Sequence, residues 1–200
     1  MLNDDLSTAL RAAVRGDEDG FAVLWRALQP GLLRYLRVVV GDAAEDVASE
    51  TWLQAVRDLP MFSGDGRAFR VWLFRIARNR GIDQQRRAGR RKEELRDSIG
   101  EDAGRAEDAA TEVITRSSTA LALALIATLP ADQAEAVMLR VVVGLDVKQT
   151  AQVLGKREGA VRVAAMRGLR RLAERIGSPD QPPGRHRPAA TRARRRPKEV

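Results

Sequence analysis

Apolar residues recur at helical spacing through most of this sequence, whereas segments that alternate apolar and polar residues, as strands do, are few. The spacing predicts an all-α fold, with helices over 17–40, 42–59, 67–87, 118–130, 132–143, 147–154 and 158–176. The first of these is either one long helix or two helices joined near Pro30 and Gly31. Asp42 is expected to cap the second helix.

Two segments depart from this helical pattern and divide the chain. Residues 92–117 are mostly Glu, Asp, Ala, Gly and Arg with little apolar periodicity, which predicts a flexible acidic linker. Residues 177–200 contain five prolines and seven basic residues, a composition that disfavours an ordered fold. We therefore expect two small helical domains, over 19–91 and 118–176, with an N-terminal segment over 1–18 and a disordered basic tail over 177–200.

Charge alternates along the chain in a way that the net value of +8 conceals. Residues 61–92 carry ten basic and two acidic groups, and residues 136–176 carry nine and three. Residues 93–135, between them, carry three basic and ten acidic groups. Two basic blocks separated by an acidic stretch suggest two separate polyanion contacts, although each block alone is also compatible with a solvated helix face.

Composition excludes several kinds of chemistry. The chain has no cysteine, and its single histidine, His186, lies in the Pro/Arg-rich tail. We therefore expect no disulfide, no Cys/His zinc site, no His-based catalysis and no cofactor. No apolar run approaches the roughly 20 residues of a membrane span, and the N-terminus lacks the pattern of a signal peptide. These features predict a cytoplasmic protein that does not associate with membranes.

The second predicted helix has two distinct faces. One arc suits a core and contains Ala44, Ala48, Trp52, Ala55, Val56 and Leu59. A second stripe is polar but has an apolar residue at its centre, and contains Asp46, Glu50, Leu53, Gln54 and Arg57. A charged stripe around an apolar residue suits a protein partner. An ordinary solvated face with one exposed leucine is the alternative, and the helical wheel alone favours this alternative.

The third predicted helix combines aromatic residues with arginines. Four of the eight aromatic residues fall within 13 positions, namely Phe62, Phe69, Trp72 and Phe74. One helix face holds Phe69, Trp72, Leu73, Ile76 and Ala77, and the opposite face holds Arg70, Arg75, Arg78 and Arg86. A basic face preceded by a Gly-containing aromatic loop suits single-stranded nucleic acid. Core packing is the better expectation for Phe69 and Trp72, while the role of Phe62 stays open.

The C-terminal block has the pattern of a helix-turn-helix. Asp146 and Gln149 form a predicted capping box for a short helix that ends at Gly155. In the next helix the inward positions are Val161, Ala165, Leu169 and Leu172, and the outward ones are Arg162, Val163, Met166, Arg167, Arg170 and Arg171. A short helix, a glycine turn and a longer basic helix is the geometry that places a recognition helix in the DNA major groove. A helical hairpin with basic residues on its surface is the alternative.

Together these segments resemble the bacterial RNA polymerase sigma factors of the extracytoplasmic-function (ECF) group, within the sigma-70 family. The run DAAEDVASETWLQAVRDL is similar to the family's region 2.2, and FRVWLFRIARNRGIDQQRR is similar to regions 2.3 and 2.4. The run LPADQAEAVMLRVVVGLDVKQTAQVLGKREGAVRVAAMRGLRRL is similar to region 4. The resemblance covers roughly residues 19–91 and 118–176, and the run WLFRIARN is its most specific part.

The resemblance implies core RNA polymerase as a partner, through the β′ clamp helices and the β subunit. It assigns the β′ contact to the second helix, at Asp46, Ser49, Glu50, Leu53, Gln54 and Arg57. Ser49 departs from the glutamine that many members have, which predicts a weaker polar contact there. The acidic linker would lie in the positively lined channels of the polymerase. The resemblance also implies control by an anti-sigma factor.

Promoter DNA is the second implied partner. The loop 62–68 would capture a flipped-out base of the −10 element, and the third helix would hold the non-template strand, through Phe62, Ser63, Gly64, Asp65, Arg70, Arg75 and Arg78. The last helix would read the −35 element through Arg157, Val163, Arg162, Met166, Arg167 and Arg170. Arg157 stands where a capping Ser or Thr is usual, and Val163-Ala164 stand where many members have Ser-Arg, so base specificity does not carry over. Asn79 and Asp83 match positions with a structural role.

Two other functions are alternatives to a non-catalytic sigma factor. A stand-alone helix-turn-helix regulator would use residues 19–91 for dimerisation or sensing, but a sensor does not need a basic aromatic helix. A nucleic-acid enzyme would need a metal-binding carboxylate cluster, and the acidic residues here lie in the linker and on the expected partner face.

Overall fold

The computed structural model describes residues 2–99 and 118–177, and these residues form helices, turns and short connections without a strand. The all-α prediction is confirmed. The helices are α1 (Leu2–Val14), α2 (Glu18–Val40), α3 (Ala44–Asp58), α4 (Gly66–Ile99), α5 (Ser118–Ala127), α6 (Ala131–Val137), α7 (Val147–Leu154) and α8 (Glu158–Ile176). Most of the predicted linker and all but the first residue of the predicted tail lie outside the described residues.

The N-terminal domain is built around α2, which is a single helix. The Asp17 carboxylate accepts a hydrogen bond from the Gly20 backbone N–H at 2.9 Å and caps its start. The helix continues through Pro30 to Val40, so the two-helix alternative is wrong. Its buried side chains contact α1, α3 and α4, and they are Leu24, Leu28, Leu32, Tyr35 and Leu36.

The connection between α2 and α3 differs from the prediction. Gly41, with a φ of +60°, ends α2, and Gly41–Ala43 form a 3₁₀ turn before α3 begins at Ala44. Asp42 therefore lies inside this turn rather than at the N-cap, and the N-cap residue Ala43 has no side-chain cap. The prediction that Asp42 caps this helix is wrong, because the turn moves the N-cap position one residue further along, to Ala43.

Helix α1 belongs to the same bundle, although the sequence pattern gave no prediction for it. It packs against α2 and α4 and buries four apolar side chains, those of Leu6, Ala9, Leu10 and Ala13. The Ser7 hydroxyl accepts a hydrogen bond from the Gly66 backbone N–H at 3.0 Å, so α1 also satisfies a donor at the start of α4. The first structural domain therefore includes the N-terminal segment.

Helix α4 continues to Ile99, beyond the predicted end at Arg87 and eight residues into the predicted linker. Arg, Lys, Glu and Leu dominate this extension, and all four are strong helix formers. Apolar periodicity detects only the part of a helix that packs against a core, which is why the sequence pattern placed the end too early.

The C-terminal domain consists of α5 to α8. The backbone after α6 widens into a π-helical segment, Met138–Val142, and the predicted capping box of α7 is confirmed, with both Asp146–Gln149 hydrogen bonds present. Gly155 follows α7 at a φ of +62°, a left-handed conformation that favours glycine, and so turns the chain toward α8.

Helix α8 contacts α6 through a glycine rather than through a leucine. The predicted inward face included Leu169, but this residue is 46% exposed and that prediction is wrong. Gly168 is buried instead, and a Cβ built on it would lie 2.7 Å from Cγ2 of Val137. The two helices approach closely at Gly168, and this leaves no room for a large side chain between them. Leu169 therefore lies beside the contact between α6 and α8 and not within it.

The two domains lie against each other. Helix α2 contacts α5 and α6, and α4 contacts α7. The buried apolar residues of both domains form one continuous cluster. Part of the surface predicted to bind DNA on α4 therefore adjoins the C-terminal domain.

Candidate functional site

Helix α3 presents exposed apolar side chains on its outer face. Leu53 is 72% exposed, and Met61, in the turn after α3, is 89% exposed. Val56 was expected in the core and is half exposed, so that expectation is wrong. It lies about 100° beyond the buried Ala55 around the helix, which takes it past the edge of the core. The outer face of α3 is therefore more apolar than the sequence stripe indicated.

The polar residues on this face are tied to α4 by Arg80. Its Nε donates a 3.0 Å hydrogen bond to the side-chain oxygen of Gln54, and its Nη1 lies 3.7 Å from a carboxylate oxygen of Glu50. The side-chain nitrogen of Gln54 in turn donates to Asp58 at 3.3 Å. Arg80 therefore faces α3 and orients two of the expected polymerase-binding residues.

Three other members of the expected polymerase-binding set differ in their local partners. Arg57 donates a 3.1 Å hydrogen bond to Asp58, and this bond, helped by Gln54, lowers the pKa of the half-buried Asp58 carboxyl. The Ser49 hydroxyl donates to the Glu45 carbonyl oxygen at 2.9 Å within its own helix. Asp46 is exposed on the same face. The six residues therefore share one accessible face around Leu53.

An aromatic cluster joins the loop after α3 to the start of α4. The Phe62 ring lies 5.6 Å from the Phe69 ring, edge to face, and 5.0 Å from the Trp72 ring. Phe69 is fully buried, whereas Phe62 and Trp72 are partly exposed. Core packing of Phe69 is confirmed, and Phe62 and Trp72 lie at the boundary between the core and the surface.

An open pocket of about 580 Å³ lies beside this cluster. Its lining combines aromatic, polar and basic groups: Asp58, Met61, Phe62, Ser63, Ala68, Val71, Trp72, Arg75 and Gln152. All of these belong to the N-terminal domain except Gln152, which comes from α7. No local sequence pattern indicates that Gln152 lies beside this loop.

The loop residues predicted to contact a base have unequal freedom. Ser63 is exposed and lines the pocket, and Gly64 has a φ of +151°. Asp65 accepts a 2.8 Å hydrogen bond from the Ala68 backbone N–H and so caps α4. Ser63 is consequently the freer of the two polar side chains.

The three arginines predicted to hold a DNA strand have different surroundings. Arg75 is exposed and lines the pocket. Arg70 donates a hydrogen bond to the Val143 carbonyl oxygen of the C-terminal domain, and its burial lowers its pKa. Arg78 pairs with Glu135 of α6 at 3.1 Å. The expected common outward face is therefore only partly correct, because the second domain covers two of the three arginines.

Helix α8 displays a mixed basic and apolar surface. Val163, Met166 and Arg167 are exposed, with Met166 at 63%. Arg162 and Arg170 are also exposed and form ion pairs along the helix with Glu158 and Glu174, each at 2.9 Å. Arg157 occupies the N-cap position without a side-chain cap, as expected from the sequence. Arg171, expected outward, donates to Gln133 of the neighbouring α6 at 3.1 Å.

Tyr35 and Glu135 are functional candidates that the sequence analysis missed. The Tyr35 hydroxyl lies 3.5 Å from Oε1 of Glu135 and donates to it across the domain boundary. Two signals were available: Tyr35 is the only tyrosine, and Glu135 interrupts the apolar run from Ala134 to Leu139. Neither signal identifies the partner.

Within residues 2–99 and 118–177 there is no group of three or more acidic or histidine side chains arranged to hold a metal ion. No helix in that part of the chain has the length and hydropathy to cross a membrane.

Comparison with known proteins matches both domains to one family. The Sigma-70 region 2 family matches residues 24–91, and the Sigma-70 region 4 family matches residues 120–172. The ECF RNA polymerase sigma factor SigD of Mycobacterium tuberculosis is 36% identical over 188 residues, covering 88% of this chain and 86% of SigD. The ECF RNA polymerase sigma factor ShbA of Streptomyces griseus is 36% identical over 185 residues, covering 86% of this chain and 97% of ShbA.

Two solved structures share the fold. CnrH, solved in complex with the cytosolic domain of CnrY, superposes with a TM-score of 0.62 at 23% identity and covers 88% of this chain and 99% of that one. The sigma factor RpoE from Bartonella quintana, solved with the anti-sigma factor NepR, also has a TM-score of 0.62 at 23% identity, covering 78% and 96%. With both domains and relatives above 30% identity in agreement, this chain belongs to the ECF group of RNA polymerase sigma factors.

Proposed function

We propose that this chain is a promoter-specificity subunit in which three surfaces have separate roles. The outer face of α3 binds the β′ clamp helices of core RNA polymerase, with further contacts to the β subunit. The pocket and Arg75 hold the melted −10 strand, and α8 reads the −35 element in the major groove. The chain itself performs no catalysis, uses no cofactor and works in the cytoplasm beside the polymerase.

The pocket beside Phe62 is the observation that carries this proposal. It has aromatic walls on which an unstacked base can pack, and Ser63 can hydrogen-bond a base edge. Arg75 at its rim places a positive charge within reach of a phosphate. Extruding a base costs a few kcal/mol, so a site that melts DNA has to combine a pocket with phosphate contacts. This pocket combines them.

The surface of α8 supports duplex recognition. Exposed Val163 and Met166 suit the apolar methyl group of thymine, while Arg167 suits guanine or a phosphate. The ion pairs of Arg162 and Arg170 are exposed, and exposed pairs are weak, so DNA phosphates can replace the glutamates. Both arginines are therefore available to DNA.

Control by an anti-sigma factor is part of the proposal. CnrH and RpoE were solved with CnrY and NepR, and their fold matches this chain. Exposed apolar side chains on α3 and α8, including Leu53 and Met166, are of the kind that partners cover. We propose that an anti-sigma factor binds this chain in the same way and blocks its binding to the polymerase.

A loop exchange tests the proposal. The loop 62–68 is replaced by the corresponding loop of another ECF sigma factor, and permanganate footprinting is done with core polymerase on promoters varied at one −10 position. We expect a changed base preference with unchanged polymerase binding. Arg75→Ala should weaken melting at every promoter, whereas the control Arg26→Ala, at an exposed arginine of α2, should not.

An unchanged base preference after the exchange would show that the loop is only a connector. Specific promoter binding by the chain without polymerase, together with no effect on polymerase transcription, would instead support a stand-alone helix-turn-helix regulator.

A further inference from the structure

A buried carboxylate lies at the boundary between the two domains. Glu135 of α6 is 8% exposed, and it is the one buried acidic or basic residue in the part of the chain that the structure describes. Its Oε2 accepts a 3.1 Å hydrogen bond from Nε of Arg78, and its Oε1 accepts from the Tyr35 hydroxyl at 3.5 Å. Both partners belong to the N-terminal domain.

This arrangement makes the hydrogen-bond partners of the buried Glu135 carboxylate depend on domain contact. A carboxylate removed from water needs a compensating partner. The donors to Glu135 among the described residues come from α2 and α4, not from its own domain. Tyr35 is fully buried at this contact, and burial, followed by the charge of Glu135, raises the pKa of its hydroxyl. If the domains separate, Glu135 and Arg78 both return to water.

The same contact covers the surface assigned to the melted strand. Arg70 of α4 donates to the Val143 carbonyl oxygen, and its Nε is buried without a partner. Gln152 of α7 forms part of the wall of the pocket that also contains Arg75. The second domain thus lies over two arginines and one side of the pocket.

We propose that Glu135 acts as a latch that closes the C-terminal domain over the strand-binding face of α4, so that the chain alone masks this face. The inference rests on the proposed function of α4. A guanidinium forms charge-assisted, often bidentate hydrogen bonds with carboxylates and with phosphates. The DNA strand and Glu135 therefore compete for Arg78, and the strand is bound only when the latch is open.

The latch is tested in the full chain with Glu135→Gln, which keeps the shape of the side chain but removes its charge. Because the chain has no cysteine, Asp19→Cys and Ala173→Cys introduce two unique sites for fluorescent labels, one in each domain. Energy transfer between the labels reports domain separation. Binding of a fluorescent single-stranded −10 oligonucleotide, without polymerase, reports access to α4.

Asp132→Asn is the matched control. It removes a carboxylate three residues earlier, whose partner is Lys156 of the same domain at 2.6 Å. We expect Glu135→Gln to lower the energy transfer and to strengthen oligonucleotide binding by about tenfold, because apparent affinity scales with the open fraction. Asp132→Asn should change neither. Tyr35→Phe, which removes only the hydroxyl, should shift both readouts in the same direction by less, and it replaces Glu135→Gln if that variant does not fold.

Unchanged energy transfer in both Glu135→Gln and Tyr35→Phe would overturn the latch. A lower energy transfer without tighter oligonucleotide binding would overturn the masking. The proposed function is judged separately, by promoter melting with core polymerase and by whether Arg75→Ala weakens oligonucleotide binding, whereas domain separation is measured with no DNA present.

Discussion

Leu53→Asp separates polymerase binding from folding, because Leu53 contributes little to the fold. Its side chain is 72% exposed, so folding buries only about a quarter of it. Complete burial of a leucine stabilises a protein by about 1.5–3 kcal/mol. The substitution should therefore lower the free energy of unfolding by less than about 1 kcal/mol.

The same substitution should have a larger effect on the complex. Leu53 is an apolar side chain surrounded by polar groups that Arg80 orients, which is the environment of an interface anchor. Loss of such an anchor costs about 2 kcal/mol or more, equivalent to a roughly thirtyfold increase in Kd. Competition binding to core RNA polymerase measures this Kd, and urea unfolding measures the stability of the free chain.

Leu121→Asp provides the matched control. Leu121 lies on α5 in the other domain and is 65% exposed, so the change in side-chain chemistry and exposure is nearly the same. It should leave the Kd within a few-fold of the wild-type value. Equal Kd values for a folded Leu53→Asp variant and the wild-type chain would refute the assignment of the α3 face.

Three further predictions concern packing, DNA and pH. Gly168→Ala should destabilise the chain by up to about 2 kcal/mol in urea unfolding, because overpacking against Val137 outweighs the helix propensity gained. If Arg167 contacts a phosphate, Arg167→Ala should reduce the slope of log K against log salt concentration for duplex DNA binding by about 1. Arg171 donates to Gln133 of α6, so Arg171→Ala should reduce this slope less. Burial raises the pKa of Tyr35 in the folded chain, so the unfolded chain loses this proton first as the pH rises. The stability of the fold should therefore decrease above about pH 10, and the midpoint of urea unfolding should fall there. This decrease should be smaller in Tyr35→Phe, which has no hydroxyl proton to lose.

Local signals located several elements of the candidate site well. The capping box at Asp146 and Gln149, the left-handed Gly155 and the bounds of α7 and α8 agree with the sequence prediction. Each of these features depends on residues within about four positions of one another. Their geometry is therefore set by backbone hydrogen bonding before any tertiary contact forms.

Helical wheels were less successful at the edges of faces. A helical wheel gives the angular positions of Val56 and Leu169 around their helices. It does not show how closely a neighbouring helix approaches. Both residues were expected inside and are exposed. At α8 the deciding factor is Gly168, whose lack of a side chain moves the line of contact with α6.

Local patterns along the chain specify the helical class, the two basic helices, the recognition-helix motif and the family. Which of the basic residues are accessible depends on how the two domains pack. Arg78 and Glu135 are 57 positions apart, and Tyr35 and Glu135 are 100 apart, and nothing in the local pattern of either segment specifies its partner. The physical reason is that periodicity and capping follow from interactions along a few turns of one helix, whereas the pairing of buried charges depends on how the two domains pack in three dimensions.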